Sequence, residues 1–130
     1  MPLVVDASAL ASATLGRGNA GLRERLAQEV CHAPHLLDAE FGNLLRRRVL
    51  RGELSPIEAE LHLTAGPRLI DRRYAVDRRL AERAWAMRDN LTFYDALYVA
   101  LAWALRLPLL TADVGLAQSP GLDCAVELVG

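Results

Sequence analysis

Two aspartates stand where predicted strands end. Asp6 follows a short apolar run at residues 3–5, and Asp113 follows a similar run at residues 109–111. Because such runs predict buried strands, both acids fall at the carboxyl ends of strands, where open α/β sheets bind ligands. Each aspartate could instead act only as the N-cap of the short helical pattern that follows it.

Two further acids belong to predicted helices. Asp95 lies three residues after Thr92 as the acid of a capping box, and it could simply complement the helix dipole. Glu40 lies one turn after Leu36 and one turn before Leu44, at the edge of a face that is predicted to be buried. No basic residue is close in sequence to any of the four acids, so a bound cation would offset the cost of burying their charge.

The chemistry that suits four such carboxylates is that of a hard divalent cation. Mg²⁺ takes oxygen ligands, keeps several waters and is commonly held by one or two carboxylates, so four acids could hold one or two ions. An ion of this kind can activate a water molecule and stabilise the leaving oxygen of a phosphodiester. The four acids therefore predict nuclease chemistry.

The elements that must position these acids alternate along the chain. Strands are predicted at residues 3–5, 69–76, 108–111 and 125–129, with helices between them, including residues 77–89 and 96–105. Ser55-Pro56 is a further helix start. This alternation predicts an α/β fold with a mostly parallel sheet of four or five strands and helices on both faces. We expect one domain over residues 1–130.

Charge is unevenly distributed around a net value of −1. Residues 41–88 carry a net charge of +5, whereas residues 1–40 and 89–130 carry −2 and −4. All fifteen basic residues are arginine. The basic middle indicates either a polyanion-binding surface or solvated helix faces.

The remaining composition indicates a cytoplasmic protein. The start of the chain lacks the basic leader and cleavage site of a signal peptide. The longest apolar run, residues 96–105, is too short to span a bilayer. Neither the two cysteines nor the three histidines have zinc-site spacing, and we expect Trp85 to pack in the core and Tyr94 to be buried or half-buried.

The order and spacing of these residues resemble the PIN-domain ribonucleases, and in particular the VapC toxins of type II toxin–antitoxin systems. The resemblance covers nearly the whole chain. It is carried by Val4-Val5-Asp6-Ala7-Ser8, Glu40-x-x-Asn43, Thr92-x-x-Asp95-Ala96-Leu97-Tyr98 and Leu110-Thr111-Ala112-Asp113.

This resemblance implies an endoribonuclease that uses Mg²⁺, or Mn²⁺, in a Rossmann-like sheet to cut single-stranded or looped RNA. It implies that Asp6, Glu40, Asp95 and Asp113 are catalytic metal ligands and that Ser8, Asn43 and Thr111 support them by hydrogen bonding. Those three side chains could equally make only local backbone bonds. Val114-Gly115 stands where relatives often carry basic or further acidic residues, so a fifth acid is missing and one metal is better supported than two.

The helix that carries Glu40 also suggests an RNA contact. Arg47 and Arg51 lie four and eight residues beyond Asn43, on one stripe of the helix, and we expect them to guide RNA toward the acids. The alternative is that they only compensate the dipole at the C-terminal end of the helix.

The resemblance also implies protein partners, namely a small cognate antitoxin and a second copy of the chain. Amphipathic segments at residues 44–54 and 57–69 predict a helical hairpin whose groove could take an antitoxin helix. Alternatively, both helices only pack against the sheet.

Other functional classes fit the residues less well. A receiver domain and a P-loop nucleotidase both need a lysine, and the chain has none. A haloacid-dehalogenase-type phosphatase needs a second aspartate where Ser8 stands. A non-catalytic RNA- or protein-binding module that keeps the same fold remains the alternative, with the acids as caps and the arginines as its working surface.

Overall fold

Five short parallel strands alternate with seven helices in a computed structural model that describes residues 1–17 and 19–130. The strands are β1 (Leu3–Val5), β2 (Cys31–Pro34), β3 (Arg72–Tyr74), β4 (Leu109–Thr111) and β5 (Val126–Leu128). The helices are α1 (Ala7–Leu15), α2 (Ala20–Gln28), α3 (Leu36–Leu50), α4 (Pro56–Ala65), α5 (Arg78–Trp85), α6 (Phe93–Leu105) and α7 (Val114–Ala117).

The strands form one sheet in the order β3-β2-β1-β4-β5, and every neighbouring pair is parallel. β1, β2 and β4 are buried along their whole length, so helices cover both faces of the middle of the sheet. Helix α1 packs on α3, and α5 packs on α6, which also contacts β1. The predicted α/β fold is thus confirmed, with five strands.

The core explains two local features of the sequence. Helix α6 is apolar on nearly every side because residues 96–102 are all buried between the sheet and α5. Phe41 of α3 is fully buried beside Gly66, the residue at which α4 runs into a 3₁₀ turn. A Cβ atom on Gly66 would lie 2.8 Å from the Phe41 ring, so this contact requires a glycine.

Several predicted elements need correction. The four-residue strand β2 was missed, because its sequence Cys-His-Ala-Pro contains none of the aliphatic β-branched residues that mark buried strands. The strand expected at residues 69–76 is confined to Arg72–Tyr74, and its expected first residue, Leu69, is the last residue of the 3₁₀ turn. Helix α5 ends at Trp85 instead of residue 89. Trp85 and Tyr94 are 60% and 59% exposed, so the expectation that they are buried was wrong.

Among the described residues, no helix has the length and apolar content needed to cross a membrane. The two cysteines are free thiols, with Cys31 buried and Cys124 half-buried.

Candidate active site

The site lies where the chain order reverses within the sheet. From β1 the chain passes to β2 and β3 on one side, and it later returns to β4 and β5 on the other. Neighbouring parallel strands on either side of such a switch point leave a crevice at their carboxyl ends. Asp6 directly follows β1, and Asp113 lies two residues beyond the end of β4, so both reach this crevice.

The structure brings all four predicted carboxylates to one cavity of about 220 Å³ at this crevice, here called the acid cavity. Helix α3 contributes Glu40, and the first turn of α6 contributes Asp95. The remaining wall residues are Ala7, Ser8, Asn43, Leu44, Arg47 and Tyr98.

Asp6 is the most strongly fixed of the four acids. It is only 5% exposed, and its Oδ1 accepts hydrogen bonds from the Ser8 hydroxyl at 2.7 Å and the Ala9 amide at 2.9 Å. Its Oδ2 accepts a bond of 2.5 Å from the Thr111 hydroxyl of β4. Asp6 is therefore both the N-cap of α1 and a link between two neighbouring strands.

Ser8 and Thr111 extend this network to the second strand-end acid. The Ala112 amide donates to Ser8 Oγ at 2.9 Å, and the Asp113 amide donates to Thr111 Oγ1 at 3.0 Å. The loop that carries Asp113 is thereby fixed to the residues that hold Asp6. Both hydroxyls contact Asp6 directly, in the arrangement expected of supporting residues.

Glu40 is held by a residue of a different helix. The hydroxyl of Tyr98, which is 1% exposed, donates a hydrogen bond of 2.6 Å to Glu40 Oε1. Tyr98 lies three residues after Asp95, on the same side of α6. This role of Tyr98 was not predicted from the sequence, although its spacing from Asp95 on α6 is a local signal for it.

Asp95 and Asp113 keep oxygens free for a ligand. Asp113 Oδ1 caps α7 by accepting from the Leu116 amide at 3.1 Å. The capping bond at the start of α6 runs from the Asp95 amide to Thr92 Oγ1, so it does not use the Asp95 carboxylate. Within the described residues, Asp113 Oδ2 accepts no hydrogen bond, and a hydrogen bond from the Thr92 hydroxyl lowers the pKa of the Asp95 carboxylate.

The electrostatics of the acid cavity are those of crowded negative charge. Burial raises the pKa of Asp6, and the hydrogen bonds that it accepts oppose this rise. Burial also raises the pKa of Asp95, and the charges of Asp113 and Asp6 add to the effect. The pKa of Glu40 is raised by burial and lowered by the Tyr98 hydroxyl and, more weakly, by the charge of Arg47.

The donor set has the chemistry that a hard divalent cation requires. Glu40 Oε2 and Asp113 Oδ2 accept no hydrogen bond from a described residue, and the repulsion among the carboxylates of the cavity favours a positive ligand. In the side-chain positions of this structure, however, no three acidic, histidine or cysteine side chains of the described chain lie close enough to enclose an ion.

The other predicted site residues divide between the cavity wall and the surface. Asn43 lines the acid cavity, but its side chain makes no hydrogen bond to a described residue. Arg47 also lines the cavity, whereas the C-cap residue Arg51 is exposed and is absent from the wall.

A larger cavity of about 530 Å³ lies at the amino ends of β4 and β5. Asp123, the only acid among the described residues that line it, is paired with Arg83.

Comparison with known proteins supplies the family. The family model for the PIN domain matches residues 3–122. Ribonuclease VapC1 of Mycobacterium tuberculosis is 53% identical over 128 residues, which cover 97% of this chain and 96% of that protein. The crystal structure of PAE2754 from Pyrobaculum aerophilum has a TM-score of 0.72 and 28% identity, over 90% of this chain and 83% of that one. VapBC2 from Rickettsia felis, bound to a DNA fragment from their promoter, gives a TM-score of 0.73 at 12% identity over the whole of both chains.

Proposed function

The chain belongs to the PIN-domain family, and we propose that it is a divalent-metal-dependent endoribonuclease, the toxin of a VapBC-type toxin–antitoxin pair. One observation supports this function best. Four carboxylates that are far apart in the sequence line one cavity: Asp6, Glu40, Asp95 and Asp113. The 53% identity to a protein named as a ribonuclease supports the same activity. We take residues 1–130 as a single PIN domain.

Asp6, Glu40, Asp95 and Asp113 would hold Mg²⁺, or Mn²⁺ in its place. When bound, the ion supplies an activated water and stabilises the oxygen that leaves the phosphodiester. Ser8 and Thr111 orient the Asp6 carboxylate, and Tyr98 orients that of Glu40. These bonds fix side chains in advance, so less ordering is needed when the ligand arrives.

RNA would approach across α3. Arg47 supplies a positive charge at the wall of the acid cavity, and Arg51 lies one turn further along the same helix. A cavity that carries four carboxylates repels a phosphodiester, so nearby guanidinium groups would have to guide the strand. We propose Arg47 as a direct RNA contact and Arg51 as a more distant one.

The antitoxin would bind the hairpin of α3 and α4. A cavity of about 310 Å³ between these helices has a mainly apolar wall that includes Val49, Leu50 and Leu63. Leu50 is 68% exposed, and Ile57 at the start of α4 is 71% exposed. An apolar groove of this kind suits an amphipathic helix. The Rickettsia felis match is a VapBC2 complex, which supports a partner of the antitoxin class.

A nuclease assay decides between this function and the alternative of a non-catalytic RNA- or protein-binding module. Unpaired RNA should be cut in Mg²⁺ or Mn²⁺ and left intact in EDTA. Loss of cutting in Asp95→Asn, with the fold retained, would assign the activity to this chain. RNA binding without cleavage under every metal condition would favour the binding module.

The partners are tested separately from the activity. We also propose that the chain forms a homodimer, so light scattering should give about twice the chain mass of 14.2 kDa. The proposal requires a small antitoxin gene beside this one, and co-expression with its product should yield a stable complex with suppressed nuclease activity. A monomer that binds no such product would remove the toxin assignment and leave the nuclease assignment standing.

A further inference from the structure

A second cavity opens beside the acid cavity. It has a volume of about 380 Å³ and shares the wall residues Ser8 and Leu44 with the acid cavity. We call it the basic groove because Arg17 and Arg48 line it, together with Ser12, Asn19 and the small residues Ala11, Gly16, Ala112 and Gly130. The shared wall makes the two cavities neighbours on one continuous surface.

Helix α3 explains why the two cavities are adjacent. Arg47 and Arg48 follow Leu44 by three and four residues, so both lie one turn beyond it on the same side of the helix. Arg47 lines the acid cavity, whereas Arg48 lines the basic groove. One turn of α3 therefore presents a guanidinium to each cavity.

The cations of the basic groove are available to an anion. Arg17 is exposed and forms no ion pair with any described residue. The ion pair of Arg48 is a 3.5 Å contact from Nε to Glu53, and both side chains are more than 40% exposed. Such exposed pairs contribute little free energy and exchange readily for a better anion.

Polar groups in the basic groove add to these charges. Asn19 Nδ2 donates to Ser12 Oγ at 3.1 Å. The Ser12 hydroxyl donates to no described group, so its proton is free for an anionic oxygen. Two guanidiniums and a hydroxyl suit a phosphate oxygen, since Arg binds phosphate with several parallel hydrogen bonds.

We propose that the basic groove binds a phosphodiester of the RNA strand next to the one presented to the acid cavity. This inference rests on the proposed function, because only a polynucleotide would span both cavities. Arg17 and Arg48 would then be positioning residues that hold the strand in register against the repulsion of the carboxylates. Substrates too short to reach the groove would not use them.

The test compares two double variants that remove equal charge. Arg17→Gln with Arg48→Gln empties the basic groove of cations, and the control Arg23→Gln with Arg68→Gln changes two exposed arginines outside it. Both are made in full-length Asp95→Asn protein, and their melting temperatures are compared. Affinity for a dinucleoside monophosphate and for a longer unpaired oligoribonucleotide is measured in EDTA over a series of salt concentrations.

We expect the groove variant to bind the longer RNA about tenfold more weakly than the control does, a change of about 1.4 kcal/mol. Its plot of log affinity against log salt should be shallower by about 0.7 for each phosphate that the protein no longer neutralises. Binding of the dinucleotide should be the same in both. Equal binding of the longer RNA, or an equal loss for both RNA lengths, would overturn the proposal. If the double variant melts early, each single variant is judged by the same two criteria.

Cleavage by the unsubstituted chain is measured in parallel with Mn²⁺. If that chain cuts no RNA, the proposed nuclease function fails, and the groove is still judged by length-dependent binding. If it cuts RNA and the groove variant binds as the control does, only the groove proposal fails.

Discussion

The hydroxyl of Tyr98 in α6 donates a hydrogen bond of 2.6 Å to Glu40 Oε1 in α3. This bond joins two helices across the acid cavity and orients the Glu40 carboxylate. We predict that Tyr98→Phe raises the Mg²⁺ concentration needed for half-maximal cleavage by about 10- to 100-fold, the effect typical of losing a residue that orients a metal ligand.

Tyr94→Phe is the matched control, because this substitution also removes a tyrosine hydroxyl from α6, but at a largely exposed position. It should leave the metal requirement unchanged. A metal titration of nuclease activity measures both variants. Equal half-maximal concentrations in Tyr98→Phe and Tyr94→Phe would contradict the role given to the Tyr98 bond.

Asp95→Asn should separate stability from activity. The charges of Asp113 and Asp6 act on Asp95, so neutralising it relieves repulsion in the metal-free protein. We predict a higher melting temperature in EDTA, a smaller rise on adding Mn²⁺, and cleavage at least about 100-fold slower. Differential scanning fluorimetry and an RNA assay measure these effects.

Asp89→Asn removes one exposed charge that is outside the acid cavity. It should retain activity and the stabilisation by Mn²⁺. Should Asp95→Asn cut RNA at the rate of this control, Asp95 is not part of the catalytic centre.

Arg73 of β3 should stabilise the fold without taking part in the site. Its guanidinium makes a bidentate contact with Asp38 of α3, at 2.6 and 2.9 Å, and donates to the carbonyl of Pro67 at 2.9 Å. We predict that Arg73→Gln lowers the free energy of unfolding by about 1–2 kcal/mol, because it leaves these acceptors without their donor. The exposed neighbour Arg72 provides the control Arg72→Gln. The free energy of unfolding of both variants is measured by urea unfolding. Equal values for Arg73→Gln and Arg72→Gln would contradict the stabilising role given to Arg73.

His32 should make the protein less stable in mild acid. It is buried in β2 with Nδ1 2.8 Å from the Tyr74 hydroxyl, and burial, followed by the charge of Arg72, lowers its pKa. Above the ordinary value of about 6.5 both folded and unfolded forms are neutral, so the group has no effect on pH dependence. Below it the unfolded chain takes up a proton that the folded chain resists, and stability falls as pH drops toward the lowered pKa.

The measurement is urea unfolding at several pH values between about 7 and 5. As the pH falls over this range, the free energy of unfolding of the original chain should decline relative to that of His32→Asn. The control is His35→Asn, at an exposed histidine, and its stability should change with pH as that of the original chain does. A constant difference between the original chain and His32→Asn would show that His32 titrates normally.

The sequence allowed prediction of those parts of the fold that depend on local patterns. Helix starts at Ser55 and Thr92 were predictable because each side chain caps the amide three residues later, and both caps are present. Strand β2 was not predictable, since its identity comes from pairing with β1 and β3, and its sequence alone favours no strand. Long-range pairing likewise decides where β3 begins and ends.

The same distinction between local patterns and long-range contacts applies to the candidate site. The four acids could be found because strand ends and capping patterns are local signals, although their metal-binding role stays a prediction. The partners that hold them could be identified only in part, because the Tyr98 bond to Glu40 spans 58 residues and the Thr111 bond to Asp6 spans 105. Exposure of Trp85 and Tyr94 also depends on tertiary packing, which single-residue hydrophobicity does not encode.

The bond between Thr111 and Asp6 has a consequence for when activity can arise. β1 obtains its β4 neighbour only after almost the whole chain has been made, and that pairing also brings Asp113 to the crevice. A nascent chain that has not yet reached β4 carries three of the four acids and lacks the Thr111 hydroxyl that holds Asp6 Oδ2. Under the proposed function, an incomplete chain on the ribosome therefore has no nuclease activity. Two fragments of the chain, divided between α5 and α6, would likewise be inactive until they reassociate.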